Sequence, residues 1–357
     1  MTALTLPGGL GTIDATAPEH SRRASGGPHD PMLAFCLRRL AQALIVMLAV
    51  GLIAFSLFRF VGDPVVYMLG QDATPEDRAR MSAELGLDQP FHRQYARFVG
   101  RAVQGEFGLS LRQLRPVSTL FVERLPATLE LSLAAAVFAL AVGIPMGVYT
   151  ALRRRSWLSQ AFLAVSLIGV SLPTFLIGIL LILVFSVQLG WLPSFGRGET
   201  VMIGGWSTGL LTTSGLKALV LPAITLGLFQ MTLIMRLTRA EMLEVLRTDY
   251  IRFARARGLS DRAIHFRHAL RNTLVPVITV AGLQLGSIIA FAIITETVFQ
   301  WPGMGLLFIQ SVMFADVPVM AAYLCLIALV FVVINLAVDL LYYAVDPRLR
   351  LDVAAAR

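Results

Sequence analysis

The stretch DYIRFARARGLSDRAIHFRHALRNT, residues 249–273, is the most informative part of this chain. It makes up most of an arginine-rich loop, residues 239–273, that lies between two strongly apolar runs. The loop contains no nucleophile paired with a base, no phosphate-binding Gly-rich motif and no metal-ligand cluster, so catalysis by the loop alone is not expected. The pattern instead predicts a compact helical loop, held between membrane spans and rigid enough to serve as a handle for another protein.

The composition is that of a membrane protein. Of the 357 residues, 56% are hydrophobic and only 15% are charged, which is too apolar for an ordinary soluble domain. A helix of about 20 apolar residues crosses the hydrocarbon layer. The runs of about that length are residues 40–60, 127–152, 158–189, 218–235, 274–299 and 319–345. We therefore predict an all-α polytopic membrane protein with six transmembrane helices.

Basic residues set the expected orientation, because short basic loops stay on the cytoplasmic side. Placing both termini in the cytoplasm puts three basic segments there: residues 153–155, the 239–273 loop and the tail, residues 347–357. The opposing short loops are poor in basic residues, and residues 191–215 contain only Arg197. Topology thus explains the net charge of +8, and no nucleic-acid partner is expected.

The N-terminal part divides into a tail and an anchor. Residues 1–31 are rich in Gly, Ser, Thr, Ala and Pro and predict a disordered cytoplasmic tail. Residues 32–61 are interpreted as the first transmembrane helix, an uncleaved signal anchor, since the apolar run is longer than a signal core and no cleavage site follows. Cys36 and Cys325 give no disulfide or zinc pattern.

Residues 62–126 are expected to form an extracytoplasmic helical segment. Thr74 can cap a helix whose first residue is Pro75, and Gly86 ends that helix. A second helix begins after Pro90. Its apolar face is formed by Phe91, Tyr95, Phe98 and Ala102. This segment either contacts a partner or covers the membrane part, and the sequence leaves both alternatives open.

Residues 127–346 are expected to form a core of five transmembrane helices. The third apolar run is long enough to tilt or to kink at Pro173, but too short for two crossings. Within the basic loop, Thr248 or Asp249 can cap a short helix over residues 250–257, and Gly258 supplies the turn that ends it. Another helix is expected to begin at residues 260–262 and to run through Pro276 into the fifth span.

Several motifs occur in order along the chain: AELGLDQP at 83–90, GEFGLS at 105–110, ATLEL at 127–131, ETVFQWPGMG at 296–305, VDLLY at 338–342 and DPRLR at 346–350. With the 249–273 loop, they make the chain similar to permease subunits of dipeptide/oligopeptide/nickel importers of the ATP-binding-cassette class, in particular the first permease of the pair. Arg252, Phe253, Ala254 and Gly258 stand where such permeases carry the EAA-x-x-x-G signature. Arg252 replaces Glu and Phe253 replaces Ala, a departure that fits the peptide branch better than the sugar branch.

This resemblance implies a type I importer permease fold and a role in ATP-driven uptake of di- or oligopeptides. It implies that the loop docks into a soluble ATPase through Asp249, Tyr250, Arg252, Phe253, Ala254, Arg255, Arg257, Gly258 and Leu259. The implied partners are a second homologous permease, two cytoplasmic ATPase subunits and an extracytoplasmic substrate-binding protein, in the lipid bilayer of the bacterial inner membrane. The chain has no phosphate-binding loop of its own, so no cofactor is expected and the energy must come from another polypeptide.

Three acidic residues lie within or near the spans: Glu130, Glu296 and Asp339. An Asp at mid-membrane costs about 2.5–3.5 kcal/mol, so each carboxylate should face protein or water. They either belong to a polar translocation path or a proton relay, or are structural hydrogen-bond partners at helix contacts, and the structural interpretation is favoured. The resemblance also implies an ATP-driven importer, which needs no proton relay. His265 and His268 share a helix face but lack further ligands, so no metal site is expected.

Other functions remain as alternatives. Permeases of the same family carry nickel, glutathione or other small solutes. A secondary transporter would call for internal repeats with paired broken spans, which the sequence lacks. A membrane enzyme would call for a catalytic constellation such as HExxH, and HExxH does not occur.

Overall fold

The computed structural model describes residues 31–60, 65, 74–85 and 88–345. The tail residues 1–30 and 346–357 lie outside the described part, as does Gly86. The α-helices are α1 Pro31–Phe60, α2 Pro75–Leu85, α3 Phe91–Val103, α4 Val117–Leu152, α5 Trp157–Ser171, α6 Thr174–Leu181, α7 Thr213–Val245, α8 Asp249–Ala256, α9 Leu270–Val298, α10 Met304–Met313 and α11 Val317–Val345.

Two π-helical segments and one short β-hairpin interrupt the α-helices. A π-helical segment, Ile182–Gln188, continues α6, and a second one, Ala263–Ala269, leads into α9. Strands β1, Val201–Ile203, and β2, Trp206–Thr208, form an antiparallel hairpin in which Met202 pairs with Ser207. The alternation of apolar and polar residues cannot predict this hairpin, because each strand has only three residues. The architecture is otherwise helical.

Five helical segments are long and apolar enough to cross a membrane: Arg38–Leu57, Val117–Leu152, Thr213–Val245, Ala263–Val298 and Val317–Val338. The third predicted run forms a broken pair instead, Trp157–Ser171 and Thr174–Gln188, bent by 116°. Pro173 lies at the break, and Leu172 before it is extended, as the residue preceding a proline usually is. The expected kink is therefore a sharp break, and this pair supplies the sixth candidate span.

Helices α4 and α7 pack closely along their length, and glycine makes this contact. A Cβ atom at Gly147 would lie 2.6 Å from the Cβ of Thr238, and one at Gly143 would lie 2.8 Å from the carbonyl oxygen of Met231. From the other side, a Cβ at Gly227 would lie 2.7 Å from the carbonyl oxygen of Ala135. Gly143 and Gly147, which have GxxxG spacing, thus mark an internal helix contact.

Helix α3 packs on α1 through the aromatic face predicted for it. The Phe55 ring lies 5.1 Å from Phe91, 5.8 Å from Tyr95 and 5.8 Å from Phe98, measured between ring centroids. The Tyr95 hydroxyl donates a hydrogen bond of 2.7 Å to the carbonyl oxygen of Leu48. Helix α4 begins at Val117, ahead of the apolar run that starts at residue 127.

Candidate functional site

The basic loop folds at one end of the bundle, called here the loop end; the opposite end, which carries the hairpin, is the hairpin end. The inward face of α8 is formed by Ile251, fully buried, and Ala254. Their neighbours come from α4, α7 and the segment before α9: Val148, Ala151, Met242, Ile264 and Ala269. The short helix is therefore packed against the ends of three membrane-associated segments.

The outward face of α8 carries an exposed aromatic ring among charged groups. The Phe253 side chain is 65% exposed. Arg252 donates a hydrogen bond of 3.1 Å to Asp249, and both side chains remain largely in solvent. The Arg257 guanidinium lies 5.8 Å from the centroid of the Phe253 ring. A large exposed ring beside arginine side chains is a common arrangement at protein–protein interfaces.

Two further contacts fix the orientation of α8. The Asn272 amide donates a hydrogen bond of 2.7 Å to the Tyr250 hydroxyl, which ties the start of α8 to α9. At the other end, Gly258 has a φ of +77°, in the left-handed region. The Gly258 N–H bonds to the Arg255 carbonyl, and the Leu259 N–H bonds to the Ala254 carbonyl at 3.4 Å. This pair of bonds is the Schellman motif, which ends a helix with a defined chain direction.

The predicted helix over residues 250–257 is observed as Asp249–Ala256. Thr248 occupies the N-cap position, but its hydroxyl donates to the Val245 carbonyl and accepts no bond from the first turn of α8. Ala254 was expected to suit close packing in a partner's groove; it packs instead against this chain's own helices. Sequence spacing alone did not tell which face of so short a helix turns inward.

The hairpin end holds Glu296, whose side chain is fully buried. One carboxylate oxygen accepts a hydrogen bond of 2.6 Å from the Thr128 hydroxyl, and the other accepts one of 2.9 Å from the Leu306 N–H. Glu296 thus binds the start of α10, where the helix dipole favours a negative charge. The neighbouring Trp301 is buried, and its indole N–H donates to the Ala127 carbonyl at 2.9 Å. These bonds join α10 to α4 and α9.

Gly303→Ala is expected to destabilise the protein by about 1–3 kcal/mol, because overpacking of a close contact typically costs that much. The added Cβ would overlap the Glu296 carboxylate, which its own hydrogen bonds hold in place. Thermal unfolding of the purified protein in detergent measures the effect. Gly205→Ala is the matched control, since a Cβ there meets nothing within 4 Å. Equal melting temperatures for the two variants would contradict the close packing of Gly303 against the Glu296 carboxylate.

Glu130 forms a buried ion pair with Arg197, the basic residue of the loop between residues 191 and 215. The Arg197 guanidinium donates to the carboxylate at 2.5 Å, and only 6% of each side chain is exposed. The same guanidinium donates to the carbonyl of Ser207 at 2.7 Å, and the Trp206 indole donates to Glu130 at 3.3 Å. The ion pair therefore fastens the hairpin to α4.

A third buried carboxylate, Asp316, was not singled out from the sequence. It accepts a hydrogen bond of 2.5 Å from the Ser110 hydroxyl and one of 3.1 Å from the Leu111 N–H. These contacts fasten the segment before α4 to the start of α11. Two signals were available in the sequence: Ser110 ends the GEFGLS motif, and an aspartate directly before an apolar run is a typical helix start.

Between α4, α7, α9 and α11 lies a largely apolar cavity of about 360 Å³. Its polar lining residues are the amides of Gln230 and Gln284. The Gln230 side chain is buried, and its amide oxygen has no hydrogen-bond partner among the described residues. Asp339 lies on α11, but its side chain is outside the described part of the structure. Within the described ranges no group of three or more metal-ligating side chains occurs.

Comparison with known proteins supplies the family. The family described as "Binding-protein-dependent transport system inner membrane component" matches residues 143–351, and the corresponding N-terminal family matches residues 32–133. This chain belongs to the binding-protein-dependent permease family. The permease is thus a multi-pass membrane protein of a transport family, and the loop around α8 lies within the matched region.

Relatives match this permease over nearly their whole length. It is 42% identical to the di/tripeptide transport system permease protein of Pseudomonas aeruginosa, over 89% of this chain and 99% of that one. It is 40% identical to the dipeptide transport system permease protein of Escherichia coli, with the same coverage. It is 37% identical to the dipeptide transport system permease protein of Alkalihalophilus pseudofirmus, over 89% of this chain and 100% of that one.

Among solved structures, the permease is similar to a chain of the MetNI methionine ABC transporter in an inward-facing conformation. The TM-score is 0.51 at 21% sequence identity, and the match covers 64% of this chain and 96% of that one. At this identity the likeness concerns the fold alone. It supports the type I permease architecture expected from the sequence.

Proposed function

We propose that this chain is the transmembrane subunit of an ATP-driven, binding-protein-dependent importer of di- or oligopeptides. The printed names of three relatives, at 37–42% identity, specify dipeptide or di/tripeptide transport. The observation that carries the proposal is the two-sided character of α8. Ile251 roots the helix in the membrane part, while Phe253 projects from the opposite face. A helix of this kind suits a partner that moves it.

In this proposal two cytoplasmic ATPase subunits supply the movement, and ATP binding and hydrolysis take place on them. The Phe253 ring enters a groove of the ATPase, and Arg252 and Arg257 pair with acidic groups at its rim. Closure of the ATPases displaces α8, and the packing of Ile251 against Met242 carries this displacement into α7. The Schellman turn at Gly258 keeps α8 from rotating independently of α9.

The loop end is assigned to the cytoplasm, with both termini on that side, because the basic loops gather there. Residues 153–155 and Arg255 line one cleft at this end. The hairpin end then faces the exterior, where a substrate-binding protein delivers peptide and where residues 62–126 lie. A second homologous permease completes the path. The inner membrane of a bacterium is the expected location.

The path itself is assigned to the side of the bundle that carries the Gln230 and Gln284 cavity. Neutral amides donate and accept hydrogen bonds as a peptide backbone does. They add no charge that would select among peptide side chains. Glu130 and Glu296, by contrast, are engaged in contacts that hold the hairpin and α10, so they are assigned structural roles.

Phe253→Asp tests the docking role. Burial of a Phe side chain is worth about 1.5–3 kcal/mol, so its replacement should weaken ATPase association by roughly ten- to a hundredfold. Co-purification of the ATPase subunits with the permease and uptake of a labelled dipeptide are the two readouts. Phe266→Asp is the matched control, because Phe266 is also exposed at the loop end but lies outside α8. Undiminished association of the Phe253 variant would refute the proposed docking surface.

A further inference from the structure

We propose that a basic cleft at the loop end binds the phosphate head group of an anionic phospholipid. The cleft has a volume of about 700 Å³ and lies between the α4–α5 turn, the end of α7 and the flank of α8. Its basic lining residues are Arg153, Arg154, Arg155, Arg247, Arg255 and His265. No described carboxylate lines it, and none of these arginines forms an ion pair with a described acidic residue.

The turn that carries three of these arginines is held in shape. The Ser159 hydroxyl donates to the Arg153 carbonyl at 2.6 Å, and the Ser156 N–H bonds to the same carbonyl at 3.1 Å. The Ser156 hydroxyl also lies 3.1 Å from the Tyr149 hydroxyl. Like charges on adjacent residues repel one another. An anion bound at this fixed turn would offset the repulsion among the arginines. A phosphodiester suits several guanidinium groups at once.

The surroundings of the cleft favour a lipid over a free anion. Its apolar lining includes Leu152, Leu243 and Leu246. Leu243 also lines a second cavity of about 510 Å³ between α5 and α7, whose other apolar walls include Leu163, Leu167 and Val170. The basic cleft therefore adjoins a mostly apolar crevice, whose polar lining residues are Ser166, Arg236 and Arg239, and the acyl chains would lie in this crevice. Basic pockets beside spans on the cytoplasmic side commonly bind such lipids.

Trp157 indicates where the cleft lies relative to the membrane surface. It directly follows the arginine turn, and its side chain is 78% exposed. Tryptophan is enriched at the level of the lipid head groups. An exposed tryptophan beside the cleft therefore indicates that the cleft lies at the membrane surface. The ring of Phe253 does not line the cleft, whereas Arg255, one of the expected docking residues, does, so the lipid site adjoins the docking surface.

The test uses the full-length permease in nanodiscs and measures quenching of Trp157 fluorescence by brominated lipid. The Trp157→Phe variant supplies the background from the other tryptophans. Brominated phosphatidylglycerol should quench at a mole fraction several-fold lower than brominated phosphatidylcholine. Each arginine near an anionic surface is worth roughly a fivefold factor in binding. Two such factors multiply to about 25-fold, which exceeds the several-fold preference, so Arg154→Gln with Arg155→Gln should abolish it.

Arg262→Gln with Arg267→Gln removes the same charge from exposed positions that do not line the cleft, and this control should keep the preference. Equal effects of the two double variants would show that general surface charge, not the cleft, attracts the lipid, and would overturn the proposal. Displacement by soluble glycerol phosphate at matched concentration would show a free-phosphate site instead. Loss of the signal on adding the ATPase subunits would assign the cleft to the protein partner. None of these readouts depends on uptake, so the proposed transport function is tested separately.

Discussion

Gly258→Pro is expected to abolish uptake and ATPase association while leaving membrane insertion intact. The Gly258 backbone has a φ of +77°, whereas proline fixes φ near −65°. Proline also lacks the N–H that bonds to the Arg255 carbonyl. Both bonds of the Schellman turn would be disturbed, and α8 would lose its fixed direction relative to α9. Because a docking surface must be presented in one orientation, we expect at least a hundredfold loss of uptake.

Three substitutions at Gly258 separate the effect of backbone conformation from the effect of side-chain size. Nothing lies within 4 Å of a Cβ built at Gly258, so the space is free and only the backbone limits the substitution. Asparagine tolerates the left-handed region, and Gly258→Asn should retain most uptake. Gly258→Ala should fall in between, at a cost of about 1 kcal/mol. Labelled-dipeptide uptake, co-purification of ATPase and membrane fractionation are measured for all three. Full activity of the proline variant would rule out this turn as part of the coupling element.

Arg197→Met is expected to destabilise the hairpin end by about 3–5 kcal/mol, because it leaves the buried Glu130 carboxylate without its cation. Glu130→Gln should also destabilise, since it strands the Arg197 charge. The double variant replaces the ion pair by neutral groups and should recover much of the loss. Its glutamine still offers an oxygen to the Trp206 indole, which now donates to Glu130. The non-additivity of the two changes identifies the ion pair itself.

The chain offers its own control in an exposed ion pair of the same residue types. Arg115 and Glu123 form two hydrogen bonds, at 3.1 and 2.5 Å, but 46% and 47% of their side chains are exposed. Arg115→Met should cost no more than about 1 kcal/mol, since water screens this ion pair. Melting temperatures of the purified variants in detergent give the comparison. Similar losses at the buried and the exposed sites would contradict the account of the hairpin.

The features that the sequence predicted best are those set by local chemistry. The short loop helix lies within one residue of its expected bounds, because helix starts and a C-terminal glycine are local signals. The aromatic face of α3 follows from helical periodicity, and its contacts with Phe55 follow from burial of that face. Pro173 was expected to bend the third run, because a proline restricts the residue before it.

Contacts between residues far apart in sequence were not predictable in this way. Nothing in the sequence indicates that Glu130 pairs with Arg197, because only the fold brings the hairpin over α4. The ring of donors around Glu296 likewise depends on where α10 begins. The direction in which Ala254 points was also open, since a helix of two turns has too few residues to define a strong periodicity. The basic cleft combines residues from α4, α7 and α8, so it appears only in three dimensions.

Helix α4 has a mechanical consequence. It contains 36 residues and is about 54 Å long at 1.5 Å per residue. Val148 near one end contacts the buried face of α8, while Glu130 nearer the other holds the hairpin. Pro145 lies between them, and a proline inside a helix removes a backbone hydrogen bond. Gly143 and Gly147, on either side of it, pack tightly against α7 and support the helix at this point. In the proposed mechanism, a displacement of α8 would therefore be carried along α4 to the hairpin at the opposite end of the bundle.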